Sequence, residues 1–411
     1  MKHRPLLRAV LFGMALTGQP GAAQTGVGIM AIHGSEAGFQ DWITEFRLRA
    51  ITQGVPEATF DTAMKTRSFR PDVLDRDRRQ DEFTRTIWDY LDRAVSDDRI
   101  AGGQKALKKY ASLLDQIEAR YDVDRQAVVA IWGLESAFGA VRGDIPTLDA
   151  LATLAYDGRR GAYFEGELIT VLKMLASGEV TGPQLVGSWA GAMGHTQFMP
   201  SSHQAFAQDF DGDGKRNVWD DDPADALASS AAYLKNFGWK RGQPWGVEVT
   251  LPEKFAYDLA GSRTKKPLGF WTAQGVTLPE GDLPDWGALL LPAGAQGPAF
   301  LIFDNFTAIE SYNIADSYVI AVGLLSDRLK GAGPVQHRWP RQWTALTLSD
   351  RIEMQGRLTA QGFDAGGADG KVGPRTMAAI KAFQRVKGLI PDGYANSELL
   401  ALLRDSGNQR R

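Results

Sequence analysis

Apolar residues recur at helical spacing along residues 39–121. The positions predicted to share one face of a helix are Ile87, Leu91, Ala94 and Val95, and then Leu107, Tyr110, Leu114 and Ile117. The same pattern predicts helices over 164–176, 225–236 and 314–329. Between 243 and 303, Pro, Gly and alternating runs such as G-V-E-V-T-L and A-L-L-L predict a few strands. The pattern therefore predicts a mainly α protein of the α+β class, with a small β region.

One carboxylate lies in a very apolar helix. Residues 127–139 run A-V-V-A-I-W-G-L-E-S-A-F-G, with Glu135 near the end, and Asp122 or Asp124 is predicted to cap the helix start. Burial removes the water that solvates a charge, so the pKa of Glu135 is expected to be raised. A glutamic acid that keeps its proton near neutral pH can serve as a general acid. The alternative is a structural ion pair between Glu135 and a cation such as Arg142.

A second segment is dense in small residues. Residues 188–202 run S-W-A-G-A-M-G-H-T-Q-F-M-P-S-S. Gly191 and Gly194 allow close approach of the backbone, and Pro200 ends any helical run before it. This predicts a cleft wall that presents a few polar groups. A close-packed contact between helices is the alternative.

Taken together, the two segments resemble the membrane-bound lytic transglycosylase B family, whose members cleave the glycan strands of bacterial peptidoglycan. The resemblance runs over about residues 39–329 and includes E-F-T-R-T-I-W-D-Y at 82–90, L-D-A-L-A-T-L at 148–154 and S-Y-N at 311–313. It implies a lysozyme-like transglycosylase fold over a catalytic domain at 36–330.

The resemblance also implies a mechanism. Glu135 would protonate the leaving oxygen of the β-1,4 bond between N-acetylmuramic acid and N-acetylglucosamine, and then act as base on the C6 hydroxyl of the muramic acid. The product would be 1,6-anhydro-N-acetylmuramic acid, formed without water and without a catalytic cofactor. Two alternatives remain: a hydrolytic muramidase, which usually needs a second carboxylate such as Asp144, Asp149 or Glu165, and a noncatalytic cell-wall-binding protein.

The same resemblance assigns residues to the saccharide and its peptide. Polar contacts to the sugar would come from Ser188, Gln197 and Asn313, and the other cleft residues would be Tyr90, Tyr233, Tyr312, Tyr318 and Phe198. Each tyrosine has a plain alternative as a core residue with a satisfied hydroxyl. Arg159 and Arg160 would face the carboxylates of the peptide stems or, alternatively, form a solvated surface pair. His195 is expected at the rim of the cleft.

An acidic loop, D-F-D-G-D-G-K-R-N-V-W-D at 209–220, follows the spacing of an EF-hand. The predicted structural calcium site takes its ligands from Asp209, Asp211, Asp213, the carbonyl of Lys215, and a last carboxylate from Asp220 or Asp225. Asp220 stands at the twelfth position, where Glu is usual, and relative to the family pattern two extra residues lie between Trp219 and Asp225. A bare acidic turn is the alternative.

The C-terminal part has its own pattern. Residues 331–345 contain G-A-G-P and a Pro-Arg pair and are predicted to form a linker. Residues 346–405 contain D-G-K-V-G-P-R-T, M-A-A-I-K-A-F-Q and G-L-I-P-D-G-Y. This part resembles the small three-helix peptidoglycan-binding domain of wall hydrolases, which would tether the enzyme to its substrate. A helical bundle without a ligand is the alternative.

Composition limits the binding partners and the cellular location that the sequence allows. The net charge of −3 gives no basic footprint for nucleic acid, and the lack of cysteine excludes disulfides and a lipid anchor on cysteine. Residues 1–23 have the pattern of a signal peptide, residues 24–35 are expected to be flexible, and no later run is long enough to span a membrane. The predicted location is the periplasm, and the predicted partner is the peptidoglycan glycan strand.

Overall fold

The computed structural model describes residues 34–78, 85–261 and 264–408. They form two compact units: one comprises 34–78, 101–237 and 311–314, and the other comprises 85–100, 238–310 and 315–408. The predicted signal peptide, 1–23, lies outside the described residues. Among the described helices, none combines the length and apolarity needed to cross a membrane.

Helices dominate the described chain. They are α1 (Glu36–Thr52), α2 (Glu57–Met64), α3 (Pro71–Arg78), α4 (Ile87–Ala94), α5 (Asp97–Lys109), α6 (Ala111–Tyr121), α7 (Arg125–Ser136), α8 (Thr147–Asp157), α9 (Gly161–Ala176), α10 (Pro200–Phe206), α11 (Ala224–Asn236), α12 (Leu268–Ala273), α13 (Asp304–Tyr312), α14 (Asp316–Leu329), α15 (Leu348–Ala360), α16 (Pro374–Val386) and α17 (Ser397–Asn408). The strands are β1 (Ile145–Pro146), β2 (Val186–Gly187), β3 (Gly246–Val249), β4 (Lys266–Pro267), β5 (Trp286–Leu290) and β6 (Ala299–Ile302). The predicted mainly helical class with a small β region is confirmed.

The first unit is built on apolar helix faces. Phe39 and Phe46 of α1 pack with Leu151 of α8 and with Leu168 and Leu172 of α9 in one buried cluster. Burying a side chain of this size stabilises the fold by about 1.5–3 kcal/mol. Helix α7 lies against α6 and α11, and its residues from 127 to 133 are all buried. The apolar run that made Glu135 conspicuous in the sequence is therefore the core-facing part of α7.

The start of α7 differs from the prediction in its cap. Asp124 occupies the N-cap position without a side-chain cap hydrogen bond, while Asp122 ends α6 in a left-handed conformation with φ 56°. The carboxylate that accepts the Arg125 N–H is Glu118, at 3.1 Å. The cap comes from the last turn of the preceding helix because the chain reverses direction between α6 and α7.

A short ladder leads into the small-residue segment. Strand β2 pairs antiparallel with β1, with Ile145 opposite Gly187. Gly187 and Met193 form a second antiparallel bridge, and Met193 also bridges Phe198. A Cβ on Gly187 would lie 2.1 Å from the Ala192 oxygen, so only glycine permits this fold-back. The backbone from 187 to 198 is consequently a compact loop and not the packed helix that was the alternative.

The second unit contains a four-stranded antiparallel sheet in the order β3-β6-β5-β4. Val249 of β3 pairs with Ala299 of β6, and Leu290 of β5 pairs with Phe300 of β6. Trp271 of α12 lies in the buried cluster of this sheet. The predicted strands near 246 and 288 are present; β4 and the fully buried β6 were not predicted individually.

The C-terminal three-helix domain is present as predicted. Leu358 of α15, Ile380 and Phe383 of α16, and Leu399 and Leu403 of α17 form its core. The domain also contacts the sheet region of the same unit, which a loose tether would not do. Its contacts to that region are a hydrogen bond from Lys381 to the Tyr257 carbonyl at 3.0 Å, an ion pair of Arg385 with Asp258, and acceptance of the Ala295 N–H by Asp392 at 2.8 Å.

The segment predicted as a linker is anchored in the second unit. Arg341 makes a two-pronged ion pair with Asp92 at 2.7 and 2.8 Å. The Trp343 indole donates to Glu398 at 3.0 Å, and Trp343 is buried. The segment therefore fixes the three-helix domain against its own unit.

Candidate active site

Glu135 is the penultimate residue of α7 and is half-buried. The three residues after Ser136 have positive φ: 50° at Ala137, 59° at Phe138 and 86° at Gly139. A left-handed conformation costs roughly 1–2 kcal/mol for a residue with a Cβ, so the turn stores strain. Its effect is to end α7 immediately after Glu135, which leaves the carboxylate on the last helical turn.

Ser136 and His195 hold this turn. The Ser136 hydroxyl donates to the carbonyl of His195 at 2.5 Å and accepts the N–H of Gly139 at 3.0 Å. The Trp132 indole N–H donates to Nδ1 of His195 at 3.1 Å. All three side chains are almost wholly buried. The residues beside Glu135 thus form a connected polar network, and such networks hold a single geometry when every member is satisfied.

His195 is not at the cleft rim, contrary to the prediction. Its side chain is buried, and Nε2 lies 2.6 Å from the carbonyl oxygen of Asp220. Burial lowers the pKa of His195, because the imidazolium form would lose its hydration. With Nδ1 accepting from Trp132, Nε2 carries the hydrogen and donates it to Asp220.

Arg142 binds residues 219–221, at the end of the acidic loop. Its guanidinium donates to the carbonyls of Trp219 at 2.6 Å and Asp220 at 3.0 Å, and it pairs with the carboxylate of Asp221 at 2.8 Å. Arg142 is thus committed to residues 219–221, and a structural ion pair of Glu135 with a nearby cation stays the alternative to a catalytic role. The raised pKa expected for Glu135 stays a prediction.

The predicted polar sugar contacts lie in the first unit with Glu135. Ser188 is half-buried, and its hydroxyl accepts the N–H of Ala192 at 3.1 Å. Gln197 has a φ of 51°, and its amide donates to the carbonyls of Gly194 at 2.8 Å and Arg142 at 3.1 Å. Asn313 is largely buried. The backbone fold-back from 187 to 198 thus fixes two of the three predicted contacts.

Three predicted aromatic contacts belong to the core behind the site. Phe198, Tyr233 and Tyr312 are exposed by 1% or less, and their rings pack on one another at centroid distances of 4.9–5.8 Å. Tyr312 donates to the carbonyl of Thr196 at 2.6 Å, and Tyr233 donates to that of Ser311 at 2.5 Å. In this structure the three rings are buried behind the cleft wall, and the two tyrosine hydroxyls are bonded to backbone carbonyls; their predicted contact with the sugar stays a prediction.

The pKa of Tyr312 depends on the charge of Glu135. Its pKa is raised well above the ordinary value, first by complete burial and then by the negative charge of Glu135. A Coulombic effect of this kind requires that the carboxylate lie near the phenol. Glu135 therefore lies close enough to Tyr312 for its charge to act on the phenol.

Two other predicted tyrosines lie in the second unit. Tyr90 is half-buried on α4, and Tyr318 is buried on α14. Each has polar or electrostatic interactions within the folded chain. Their predicted role in the cleft stays a prediction.

Arg159 and Arg160 share one buried carboxylate. Both guanidinium groups bind Asp77 of α3, with Arg160 at 2.6 Å from its oxygen, and Asp77 is only 3% exposed. Arg160 also lies over the Phe164 ring at 4.7 Å, whereas the Arg159 side chain keeps 48% of its surface exposed. One carboxylate between two cations leaves a net positive charge, so the pair can still attract an anion.

The acidic loop brings three carboxylates together. One oxygen each from Asp209, Asp211 and Asp213 lies within 4.8 Å of the other two. Asp213 accepts the N–H of Lys215 at 2.8 Å, which is a further turn of the loop. Three converging negative groups fit a hard cation with oxygen ligands, such as Ca²⁺.

The two candidates for the last ligand have different surroundings. Both oxygens of Asp225 accept backbone N–H groups of the loop, from Phe210 and Asn217, each at 2.7 Å. Asp220 is exposed, and its carbonyl accepts from His195. Asp225 thus shapes the loop from inside, and its oxygens retain lone pairs for a cation.

The sequence analysis missed Trp132, Ser136 and Glu167, and it placed His195 at the rim of the cleft. Trp132, Ser136 and His195 form the network behind Glu135, and Glu167 anchors the start of α10 by accepting the N–H of Ser201 at 2.8 Å and its hydroxyl at 2.6 Å. The single available signal was the placement of polar residues inside otherwise apolar or small-residue runs.

A half-buried glutamate at the end of a buried helix, a tight small-residue loop beside it, a small sheet and a C-terminal three-helix domain are the features of a lysozyme-like transglycosylase fold. The transglycosylase SLT domain family model matches residues 38–327, and a peptidoglycan binding domain model matches 347–403. The chain belongs to the transglycosylase SLT domain family. The predicted family and fold are confirmed.

Individual relatives agree with this assignment. The membrane-bound lytic murein transglycosylase B of Escherichia coli (strain K12) is 36% identical over 241 residues, which is 57% of this chain and 64% of that relative's length. Crystalline SltB3 from Pseudomonas aeruginosa, in complex with NAG-anhNAM-pentapeptide, matches with a TM-score of 0.85 and 47% identity, over 89% of this chain and 99% of that one. Escherichia coli Slt35 in complex with calcium matches with a TM-score of 0.59 and 31% identity, over 72% and 93%.

Proposed function

We propose that this protein is a peptidoglycan lytic transglycosylase. It cleaves the β-1,4 bond between N-acetylmuramic acid and N-acetylglucosamine and leaves a 1,6-anhydro-N-acetylmuramic acid end. The observation that carries the proposal is the position of Glu135, half-buried on the last turn of α7, in a chain of the transglycosylase SLT domain family. The complex of SltB3 with an anhydro-sugar peptide supports the product class.

Glu135 performs both proton transfers in this proposal. Its carboxylic acid gives a proton to the glycosidic oxygen as the bond from that oxygen to C1 of the muramic acid breaks. The resulting carboxylate then takes the proton of the C6 hydroxyl, and O6 bonds to C1. The proton count balances, because Glu135 ends protonated as it began.

Two of the three candidate second carboxylates, Asp149 and Glu165, have surroundings that suit a structural role and not hydrolysis. A hydrolytic muramidase usually needs a second carboxylate near the scissile bond. Asp149 is largely buried and paired with Arg67 at 3.2 Å, and Glu165 is paired with Arg49 at 3.0 Å. Both carboxylates are thus committed to structural ion pairs.

The proposed substrate contacts are those that the family resemblance implies. Ser188, Gln197 and Asn313 bind the saccharide beside Glu135, with Tyr90 and Tyr318 as further cleft residues. The exposed Arg159 and its neighbour Arg160 attract the carboxylates of the peptide stems, with Asp77 holding the pair in place. The three-helix domain binds the wall in this proposal, and its match to the peptidoglycan binding domain family supports that role.

A calcium ion in the acidic loop has a structural role in this proposal. Asp209, Asp211 and Asp213 would hold it, with the Lys215 carbonyl and Asp225 or Asp220 completing the ligand set. The ion would neutralise the convergent carboxylates and pin the loop. The crystal structure of Slt35 with calcium supports the metal type. An enzyme of this kind acts outside the cytoplasm, in keeping with the predicted signal peptide at 1–23.

The test is mass spectrometry of muropeptides released from purified peptidoglycan. The protein should release products with 1,6-anhydro ends, and Glu135→Gln should lower the rate by about 10²–10⁴-fold, the usual contribution of a general acid or base. Glu165→Gln is the matched control, with the same chemical change at the Arg49 pair, and should keep most of the activity.

Each alternative has its own outcome. Reducing ends that carry added water would assign the protein as a hydrolytic muramidase. Wall binding without release of any product would assign it as a noncatalytic wall-binding protein. Full activity in Glu135→Gln would reject Glu135 as the acid.

A further inference from the structure

His195 joins two segments that are far apart in the sequence. Its side chain is 4% exposed. Nδ1 accepts the indole N–H of Trp132 at 3.1 Å, and Nε2 donates to the carbonyl of Asp220 at 2.6 Å. One imidazole therefore makes a hydrogen bond at each ring nitrogen, with helix α7 on one side and the acidic loop on the other.

The backbone of the same residue repeats the connection. The N–H of His195 donates to the carbonyl of Val218 at 3.0 Å, and its carbonyl accepts from the Ser136 hydroxyl at 2.5 Å. Ser136 directly follows Glu135. Main-chain and side-chain hydrogen bonds of one residue thus tie residues 218–220 to the end of α7.

The space for the ring is shaped by the strained turn. A Cβ on Gly139 would lie 2.5 Å from both Cε1 and Nδ1 of His195, and Gly139 has a φ of 86°. The imidazole also packs edge-on against Trp132 at a centroid distance of 5.7 Å. A planar ring with an acceptor at one vertex and a donor at the other fits this place, and among the common side chains only neutral histidine supplies both.

We propose that His195 is a positioning residue that holds the helix end presenting Glu135 against the acidic loop, so that the order of the loop and the placement of the carboxylate are coupled. This inference rests on the proposed role of Glu135. A catalytic group displaced by about 1 Å can lose roughly 10²-fold in rate, so a buried clamp directly behind it has a measurable effect.

The kinetic test uses three variants in the muropeptide-release assay. His195→Phe keeps a ring and loses both hydrogen bonds, His195→Gln keeps an acceptor and a donor without the ring, and Trp132→Phe removes the partner donor while leaving His195 in place. We expect His195→Phe to lower kcat by about 10–100-fold with KM changed by less than about threefold, and His195→Gln to recover part of the loss. A double variant that combines His195→Phe with Trp132→Phe should be no slower than His195→Phe alone, because Trp132 acts through His195.

A second measurement does not depend on activity. Amide hydrogen exchange, followed by mass spectrometry, should rise in His195→Phe both in peptides covering 136–142 and in peptides covering 218–222, with Glu165→Gln unchanged in both. If His195→Phe does not fold, His195→Gln and Trp132→Phe carry both tests. A kcat within about twofold of the wild type, or exchange that rises on one side alone, would overturn the coupling. Should Glu135→Gln be active, the proposed function fails, and the exchange data still decide whether His195 links the two segments.

Discussion

In the turn that follows Glu135, two residues with side chains, Ala137 and Phe138, adopt positive φ; in the C-terminal domain every described residue with positive φ is a glycine. The turn is held by buried hydrogen bonds of Ser136 and His195. The C-terminal domain is held by an apolar core around Phe383, with ion pairs on its surface. The turn after Glu135 is thus a strained backbone held by a polar network, whereas the backbone of the C-terminal domain is relaxed.

The difference indicates what each region has to do. Strained backbone persists only where the surroundings over-determine it, and it is common where a side chain must be presented in one geometry. The C-terminal domain needs only to stay folded beside the sheet, and apolar burial with ordinary glycine turns is sufficient for that. A change in the turn should therefore be felt more strongly than a change of similar size in the relaxed domain.

The largest effect is expected from Gly139→Ala. The added Cβ would lie 2.5 Å from the ring of His195, at a φ of 86°. Steric strain and overpacking together should lower the free energy of unfolding by roughly 2–5 kcal/mol. Urea unfolding followed by tryptophan fluorescence measures this loss, and the release of muropeptides should fall in parallel.

Gly166→Ala is the matched control for Gly139→Ala. Gly166 lies in α9 of the same unit, and no atom comes within 4 Å of a Cβ added there. Alanine in an exposed helix is favoured over glycine by roughly 1 kcal/mol, so this variant should gain stability. Equal stability changes for the two variants would show that the turn is not strained.

A moderate, pH-dependent effect on the free energy of unfolding is expected from Glu167→Gln. Burial raises the pKa of Glu167, although its hydrogen bonds to Ser201 oppose the shift. A raised carboxyl pKa means that its contribution to stability is present below the ordinary value of about 4.3 and is lost as the pH rises through the folded-state pKa. The stability of the wild type relative to Glu167→Gln should therefore decline as the pH rises above the ordinary value, by about 1.4 kcal/mol for each unit of raised pKa.

The measurement is the free energy of unfolding of both proteins across that pH range. Gly166→Ala is again the control, since it changes no ionisable group and its curve should run parallel to that of the wild type. Parallel curves for Glu167→Gln as well would contradict the raised pKa.

These residues also show how far sequence reasoning reaches. Periodicity predicted α9, α11 and α14 to within about three residues, because a long amphipathic or apolar run fixes its own helix. It merged α5 and α6, which break at Tyr110, and passed over β6, whose four residues are all buried and lack alternation. Local pattern is sufficient for long elements, whereas short ones depend on partners elsewhere in the chain.

The same limit applies to the site. Glu135 was found because a charge in an apolar helix is visible in one segment. The bond between Trp132 and His195 spans 63 positions, and the packing of Phe198 against Tyr233 and Tyr312 depends on three separate segments. Neither spacing nor composition distinguishes a tyrosine that faces a sugar from one that supports the wall, since both need an apolar body and one hydrogen bond.

The smallest effect on stability is expected in the relaxed C-terminal domain, from Arg404→Met. Arg404 pairs with Glu353 at 2.6 Å, and this pairing is the first cause that lowers the pKa of Glu353 to about 2. A lowered carboxyl pKa contributes stability above the ordinary value that is lost as the pH falls towards about 2. Both side chains are solvent-exposed and Arg357 also pairs with Glu353, so solvent screening and the second partner should leave the thermal midpoint nearly unchanged at neutral pH. Calorimetry in low salt and in about 0.5 M salt measures this. A large loss that persists in high salt would mean that the C-terminal domain depends on its surface charges, and the contrast with the turn behind Glu135 would not hold.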